Sequence, residues 1–220
     1  MADATACLNW LAAPDPRLDM IQETLDAIVK DGHRTGDVIQ RIRQLATRSA
    51  PPRVRLDLND VVRDVIPLMR AELHGHEVAL VLDLAADLPL VLGDRVQLQQ
   101  VVLNLVMNAI EAMAGVTDRP RELRIGSARP DWDHVTVTVQ DTGVGIDRSM
   151  LDRLFTAFFT TKPGGMGMGL SISRSIIEAH GGWLSAAANL PHGAIFQFSL
   201  AIDCGVAEGV HIARVAGAAP

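Results

Sequence analysis

The sequence is poor in several things. Two cysteines, Cys7 and Cys204, in 220 residues can build neither a disulfide framework nor a cysteine-based zinc site, and they read as free thiols of a reducing compartment. Tyrosine is absent, and lysine occurs only as Lys30 and Lys162, so a lysine inside a motif stands out. Positive charge is in deficit. The formal net charge is −6, which lacks the basic footprint of a general nucleic-acid or membrane-surface binder. No apolar run approaches the ~18 residues of a membrane span, and Met1–Ala12 lacks the charged-then-apolar order of a signal peptide. Apolar residues are plentiful at 48%, enough for a packed core and too many for a disordered chain. The length allows one domain plus an extra element, or two small domains.

The first fifty residues differ from the rest. Leu18, Ile21, Leu25, Ile28, Gly32, Thr35, Ile39 and Ile42 alternate spacings of three and four, which describes a heptad seam or an ordinary amphipathic surface helix. Acids gather early (Asp19, Glu23, Asp26) and bases late (Arg41, Arg43, Arg48), in line with the helix dipole. Ala2–Ala12 reads as the end of a preceding helix, turned by Ala13-Pro14-Asp15-Pro16, so that residues 1–50 form a helical hairpin with a shortened first arm. Ser49-Ala50-Pro51-Pro52 breaks the second helix. Residues 51–203 then show a mixed α/β pattern, and residues 204–220, rich in Ala, Gly and Val, read as a disordered tail.

Within 51–203 the pattern predicts helices over Asn59–Leu73, Asp94–Met113, Arg148–Leu154 and Leu170–His180. Strands are predicted over Glu77–Leu84, Glu122–Ala128, His134–Gln140, Trp183–Ala188 and Ala194–Ile202. Asp94 with Gln97 has the spacing of a capping box. Val135, Val137 and Val139 alternate with Thr136, Thr138 and Gln140, the period of a half-buried strand.

Three segments have the composition of chemistry. The helix to Met113 is apolar nearly all round and must be buried, yet Gln97, Gln100, Asn104, Asn108 and Glu111 recur at helical spacing as one polar stripe. Buried amides need partners; the stripe faces either a polar ligand or bulk solvent. The strand ending at Gln140 runs into Asp141-Thr142-Gly143-Val144-Gly145-Ile146, where a carboxylate can accept a hydrogen bond from an exocyclic amine and two glycines let a flat ligand approach the backbone. Gly164-Gly165-Met166-Gly167-Met168-Gly169-Leu170 leads directly into a helix. Its amides and the helix N-terminus can cradle phosphate, and Lys162 stands just before it.

Polar-striped helix, DTGVGI, FTAFFTTK and GMGMGL, in this order, resemble the catalytic ATP-binding domain of bacterial sensor histidine kinases, of the branch often found behind PAS-type sensors. Gln100–Ala112 is similar to the N box, Asp141–Ile146 to the G1 box, Leu154–Lys162 to the F box and Gly165–Leu170 to the G2 box. The resemblance covers Leu56–Ile202. It implies an α+β fold, a two-layer α/β sandwich with a mixed sheet covered by helices, preceded by part of a dimerisation and histidine-phosphotransfer hairpin. It further implies ATP and Mg²⁺ as cofactors. Asp141 would hold the adenine amine, Gly143, Gly145 and Ile146 would line the base, and Asn108 would be the Mg²⁺ ligand with Asn104 one turn earlier. Lys162, Gly165, Gly167, Met168, Gly169 and Leu170 would contact phosphates, and Phe155, Phe158 and Phe159 would anchor the lid.

Where ATP-hydrolysing members of the superfamily these kinases share with DNA gyrase and mismatch-repair ATPases usually have a Glu base, this chain has Asn104, which cannot activate water. Neutral imidazole needs no such activation, so Asn104 favours transfer to histidine; Glu111 orients neighbours or acts on a histidine nitrogen. None of the seven histidines fits the family's acceptor motif, so the acceptor is expected on a phosphoacceptor helix outside this chain. The implied partners are that helix, a response-regulator receiver domain and a second copy bound through the N-terminal helices, with no nucleic acid and no direct membrane contact. The implied location is cytoplasmic, where a longer, membrane-attached sensor could carry the chain as its cytoplasmic end. The other reading is a non-catalytic nucleotide-binding dimeric scaffold that docks a response regulator or a partner kinase.

Overall fold

The computed structural model describes residues 53–162 and 166–203, with scattered positions between Cys7 and Leu25. The chain divides into two units, Met1–Pro51 and Pro52–Pro220. In the first, Cys7, Trp10 and Leu11 are helical, as are the described positions from Leu18 to Leu25. Cys7 and Ile21 are buried, with the Cys7 thiol against the Ile21 carbonyl at 3.8 Å, whereas Leu18 and Leu25 are exposed. The rest of the heptad pattern, and the tail 204–220, lie outside the described residues.

The second unit is a mixed sheet with helices on one face. Its elements are β1 (Val54–Leu56), α1 (Leu58–Gly75), β2 (Ala79–Leu84), β3 (Val91–Gly93), α2 (Arg95–Met113), β4 (Glu122–Ala128) and β5 (His134–Asp141). A 3₁₀ helix (Arg148–Arg153), α3 (Gly169–Ala179), β6 (Trp183–Ala188) and β7 (Ala194–Ala201) follow. The five-stranded sheet runs β2-β4-β5-β7-β6. β2 pairs parallel to β4, and the other neighbours are antiparallel. β1 and β3 form a separate two-stranded ribbon. The expected α+β sandwich is therefore the observed fold. β1 and β3 escape sequence reading because three-residue strands carry no periodicity.

Alternation builds the core. Val135, Val137 and Val139 of β5 are fully buried and join Leu123, Ile125, Phe198 and Leu200 from neighbouring strands. Against them α2 lays Leu98, Val101, Val102, Leu105, Val106 and Ile110, all without exposed surface. α1 adds Val61, Val62 and Val65. The helix start at Arg95 corrects one expectation. Asp94 caps it, accepting from the amides of Val96 (2.9 Å) and Gln97 (3.3 Å), but the Gln97 side chain does not complete a capping box. The Asp94 amide instead donates to His180 Nε2 at 3.0 Å, while Nδ1 of the same ring lies 2.7 Å from the Ile176 carbonyl. His180 thus ends α3 and starts α2 with one ring, its tautomer fixed by an acceptor on one side and a donor on the other. Likewise His76-Glu77 lies in the turn after α1 rather than opening β2, and Glu77 takes a positive φ of 53°.

A buried polar triangle ties α1 to the sheet. Asn59, 1% exposed, donates to the Ala85 carbonyl (2.8 Å) and accepts from the Ser127 hydroxyl (2.7 Å), which in turn accepts from the Ala85 amide (3.0 Å). Asn59→Ala would leave the Ser127 hydroxyl and the Ala85 carbonyl short of partners. We expect a loss of about 2–3 kcal/mol in a urea-unfolding experiment, with nucleotide binding by the folded fraction unchanged.

Candidate active site

Asp141 is the last residue of β5 and 1% exposed. Its Oδ1 accepts from the amides of Gly143 (2.8 Å) and Ala194 (3.2 Å), while Oδ2 has no donor among the described residues. Burial pushes the carboxyl above its ordinary value of 3.8, opposed by those two amides and by the charge of Lys162. The glycines around it meet close backbone. A Cβ on Gly143 would stand 2.7 Å from the Ala112 carbonyl oxygen, at the end of α2, and 2.8 Å from Asp141 Oδ1. Gly193, at φ +100°, has no room either: its Cβ would fall 1.9 Å from the Asp141 carbonyl oxygen. Gly145 sits at φ +80° against Gly193. Val144 is 76% exposed on the outside of the turn, and Ile146 packs on the core edge.

Two residues that hold this turn carry no sequence motif. Asn189, in the β6–β7 turn, donates to the Asp141 carbonyl at 2.8 Å and accepts from the Gln140 side chain at 2.9 Å. Arg119 donates to the carbonyls of Thr142 (3.0 Å) and Gly143 (2.8 Å). Contacts of side chains with backbone atoms leave little trace in a single sequence.

The polar stripe of α2 faces the loop before α3. Asn104 donates to the buried Ser173 hydroxyl at 2.9 Å, and its Oδ1 would be 2.3 Å from a Cβ on Gly169. Gly169 therefore lets α3 cross α2 at Asn104. One turn on, Asn108 Oδ1 accepts from Lys162 Nζ at 2.9 Å, and the same ammonium pairs with Glu111. Asn108 Nδ2 is buried without a partner among the described residues. An amide oxygen and a carboxylate thus converge on one cation position, filled here by the lysine. Two hard oxygen donors suit Mg²⁺, which takes few ligands from protein and the rest from water and phosphate.

Between the 3₁₀ helix and α3, Gly167 meets the backbone of Phe158 and Phe159. Phe158, 63% exposed and at a positive φ of 68°, donates its amide to the Gly167 carbonyl at 2.9 Å. Gly167 has φ +63°, and a Cβ there would meet the Phe158–Phe159 backbone at 2.6 Å. Phe155 packs on the core under Arg174, and Arg153 covers the Phe159 ring at 4.6 Å. Phe155 and Phe159 are half-buried by these contacts, whereas most of Phe158 is exposed. Met168 is buried and precedes α3, whose N-terminus receives no side-chain cap; the amides of Gly169 and Leu170 open that helix. Gly165 lies outside the described residues.

A buried carboxylate beside a glycine turn, with oxygen ligands on α2 and a lysine from the segment before α3 against them, is an arrangement suited to a nucleotide on an α/β sandwich. Residues 93–203 match the family of histidine kinase-, DNA gyrase B- and HSP90-like ATPases. The sensor protein FixL of Bradyrhizobium diazoefficiens is 40% identical over 186 residues, 84% of this chain and 36% of FixL. The sensor histidine kinase TmoS of Ectopseudomonas mendocina is 36% identical over 204 residues, 92% of this chain and 21% of TmoS. The catalytic domain of the histidine kinase ThkA superposes with a TM-score of 0.61 at 31% identity, covering 69% of this chain and 97% of that domain. ThkA in complex with the response regulator TrrA superposes at 0.68 and 25% identity, covering 92% of this chain and 57% of that one. The chain belongs to the sensor histidine kinases and carries their catalytic ATP-binding domain. It spans between a fifth and two fifths of the length of these two curated relatives. No described helix is long and apolar enough to cross a membrane.

Proposed function

We propose that the chain binds Mg²⁺-ATP in this site and transfers the γ-phosphate to a histidine outside the chain, for relay to a response-regulator aspartate. The observation that carries the reading is the convergence of Asn108 and Glu111 on one cation position, filled here by the Lys162 ammonium, next to the turn that holds Asp141. In this reading Asp141 Oδ2 accepts from the adenine amine, and Gly143, Gly145 and Ile146 bound the base. Lys162 and the amides of Gly165, Gly167, Met168, Gly169 and Leu170 meet phosphate. Asn108, with Glu111 beside it, holds Mg²⁺, which when bound neutralises charge on the phosphates.

The transfer forms a nitrogen–phosphorus bond and breaks the bond between the γ-phosphorus and the bridging oxygen. ADP leaves with that electron pair, and the imidazole loses its proton from the other ring nitrogen. Asn104, bonded to Ser173, offers no base to water, which supports transfer over hydrolysis. The described histidines support an acceptor elsewhere. His180 uses both ring nitrogens internally, and His134 lies against Asp131 and packs edge-on to Trp183. His74 and His76 close α1, and His192 sits in the β6–β7 turn. The N-terminal helices supply the homodimer in this reading. A response-regulator receiver domain is the downstream partner, as TrrA is for ThkA, and the domain works in the cytoplasm, where ATP is.

The test mixes the chain with Mg²⁺ and γ-labelled ATP, with and without a histidine-bearing hairpin from a related kinase. Label is expected on the hairpin only. Label on a histidine of this chain would overturn the external acceptor, and ATP binding without any transfer would favour the non-catalytic scaffold.

Protonation of Asp141 gives a second expectation. Burial raises this carboxyl, so between 3.8 and its raised value the folded state holds a proton that the unfolded state has lost. Over that window the contribution of Asp141 to stability falls as pH rises. Binding has the opposite sign, because the adenine amine needs the ionised form. ADP affinity is therefore expected to weaken as pH is lowered from neutral, with a midpoint above the ordinary carboxylate value. Calorimetric titrations over that range check it, and a flat profile would reject it.

A further inference from the structure

The geometry points to Arg119 as a positioning residue for base recognition, acting through the backbone of the Asp141 turn; the inference rests on the proposed adenine contact of Asp141. Two consecutive peptide groups of this turn are held at both ends. In the Thr142–Gly143 peptide, the carbonyl accepts from Arg119 Nε at 3.0 Å and the amide donates to Asp141 Oδ1 at 2.8 Å. In the Gly143–Val144 peptide, the carbonyl accepts from Arg119 Nη2 at 2.8 Å and the amide donates to the Ala112 carbonyl at 3.1 Å. Arg119 grips the outer side of both peptides, and Asp141 and α2 grip the inner side.

The consequence is for the Asp141 carboxylate. A peptide plane is rigid, so turning either carbonyl away from Arg119 swings the opposite amide away from its acceptor. If the Gly143 amide leaves Oδ1, the carboxylate loses its shorter backbone bond and keeps only the longer one from Ala194 (3.2 Å). The direction of Oδ2, the oxygen proposed for the base, is then held less tightly. A lone glycine turn cannot resist this, because Gly143 has no Cβ to limit its peptides. Guanidinium meets the requirement, since its planar fork reaches two carbonyls at once with charge-assisted bonds. The fork is itself anchored. Its remaining nitrogen pairs with Asp118 at 2.9 Å, and the side chain is only 21% exposed. Two residues on, Arg121 ties the same segment to the carbonyls of Val116 (2.9 Å) and His76 (2.7 Å). The segment between α2 and β4 thus serves as a rigid mount for one side of the base site.

The test reads base selectivity. Inosine diphosphate differs from ADP in presenting a carbonyl oxygen where adenine has its amine, so the ratio of the two dissociation constants measures the aim of Asp141 Oδ2. Arg119→Met is expected to weaken ADP about tenfold, the scale found when a group that orients a direct ligand partner is removed. Inosine diphosphate should change little, so the selectivity ratio collapses. Arg119→Lys, which keeps the charge and can serve only part of the fork, should restore part of the ratio and covers the case in which the Met variant does not fold. A merely structural role would weaken both nucleotides equally, and that result overturns the inference. Failure of the wild-type chain to prefer ADP over inosine diphosphate would instead reject the proposed adenine contact of Asp141, and the role of Arg119 with it.

Discussion

Asp141→Asn is expected to weaken ADP binding by about a hundredfold or more while leaving the fold intact, measured by calorimetry beside circular dichroism. The substitution preserves size and is the least disruptive one available. Oδ1 accepts two amides, from Gly143 and Ala194, so the new amide must direct its oxygen to them. Its NH₂ group then occupies the position of Oδ2 and meets the adenine amine donor to donor. The variant loses a charge-assisted hydrogen bond and leaves a buried donor facing another donor. Together these amount to about 3 kcal/mol or more, which is the loss expected. Stability should hold or improve, because a carboxylate whose burial raises its proton affinity is replaced by a neutral group. A variant that binds ADP normally would remove Asp141 from the base site.

The sequence carries the fold through its periodicities. The alternating valines of β5 and the almost uniformly apolar α2 locate sheet and helix layer without ambiguity, because a period of two and a buried helix each admit few alternatives. The legible parts of the site are those where function restricts residue type: glycines where a Cβ would strike backbone at 143 and 167, a carboxylate at a strand end, amides along one stripe. The illegible parts are contacts to main-chain atoms. Arg119 and Asn189 bind carbonyls, which every residue possesses, so no pattern of side chains announces them. His180 is illegible for the same reason. It replaces Gln97 as partner of the Asp94 amide, a choice made by the tertiary approach of α3 to the start of α2 rather than by local spacing. The family resemblance implies a phosphate contact for Lys162. Here the lysine lies against Asn108 and Glu111, oxygen acceptors of α2 within reach of its ammonium.

That arrangement leads to the other large effect. Asn108→Ala is expected to lower transfer from Mg²⁺-ATP to a histidine hairpin by about 10²–10³-fold, while ADP binding in the absence of Mg²⁺ changes by less than about threefold. Asn108 gives the site an uncharged oxygen, and its Nδ2 is buried with no partner among the described residues. Such a group costs on the order of 1–3 kcal/mol, so its retention is best explained by work done by the oxygen on the same amide. Alanine removes that oxygen and the unpaired donor together. The variant should therefore be no less stable than the parent even as transfer fails, and this separates a site role from a packing role. Asn108→Asp sharpens the point. It restores an oxygen but adds a charge beside Glu111 and Lys162, strengthening the hold on the lysine ammonium as well as on a divalent cation. We expect it to recover Mg²⁺-dependent nucleotide binding more fully than transfer, because a more tightly held Lys162 is less available to phosphate. Equal recovery of both would show that Lys162 does not compete for the cation position. Transfer by Asn108→Ala at the parent rate would remove Asn108 from the metal site altogether.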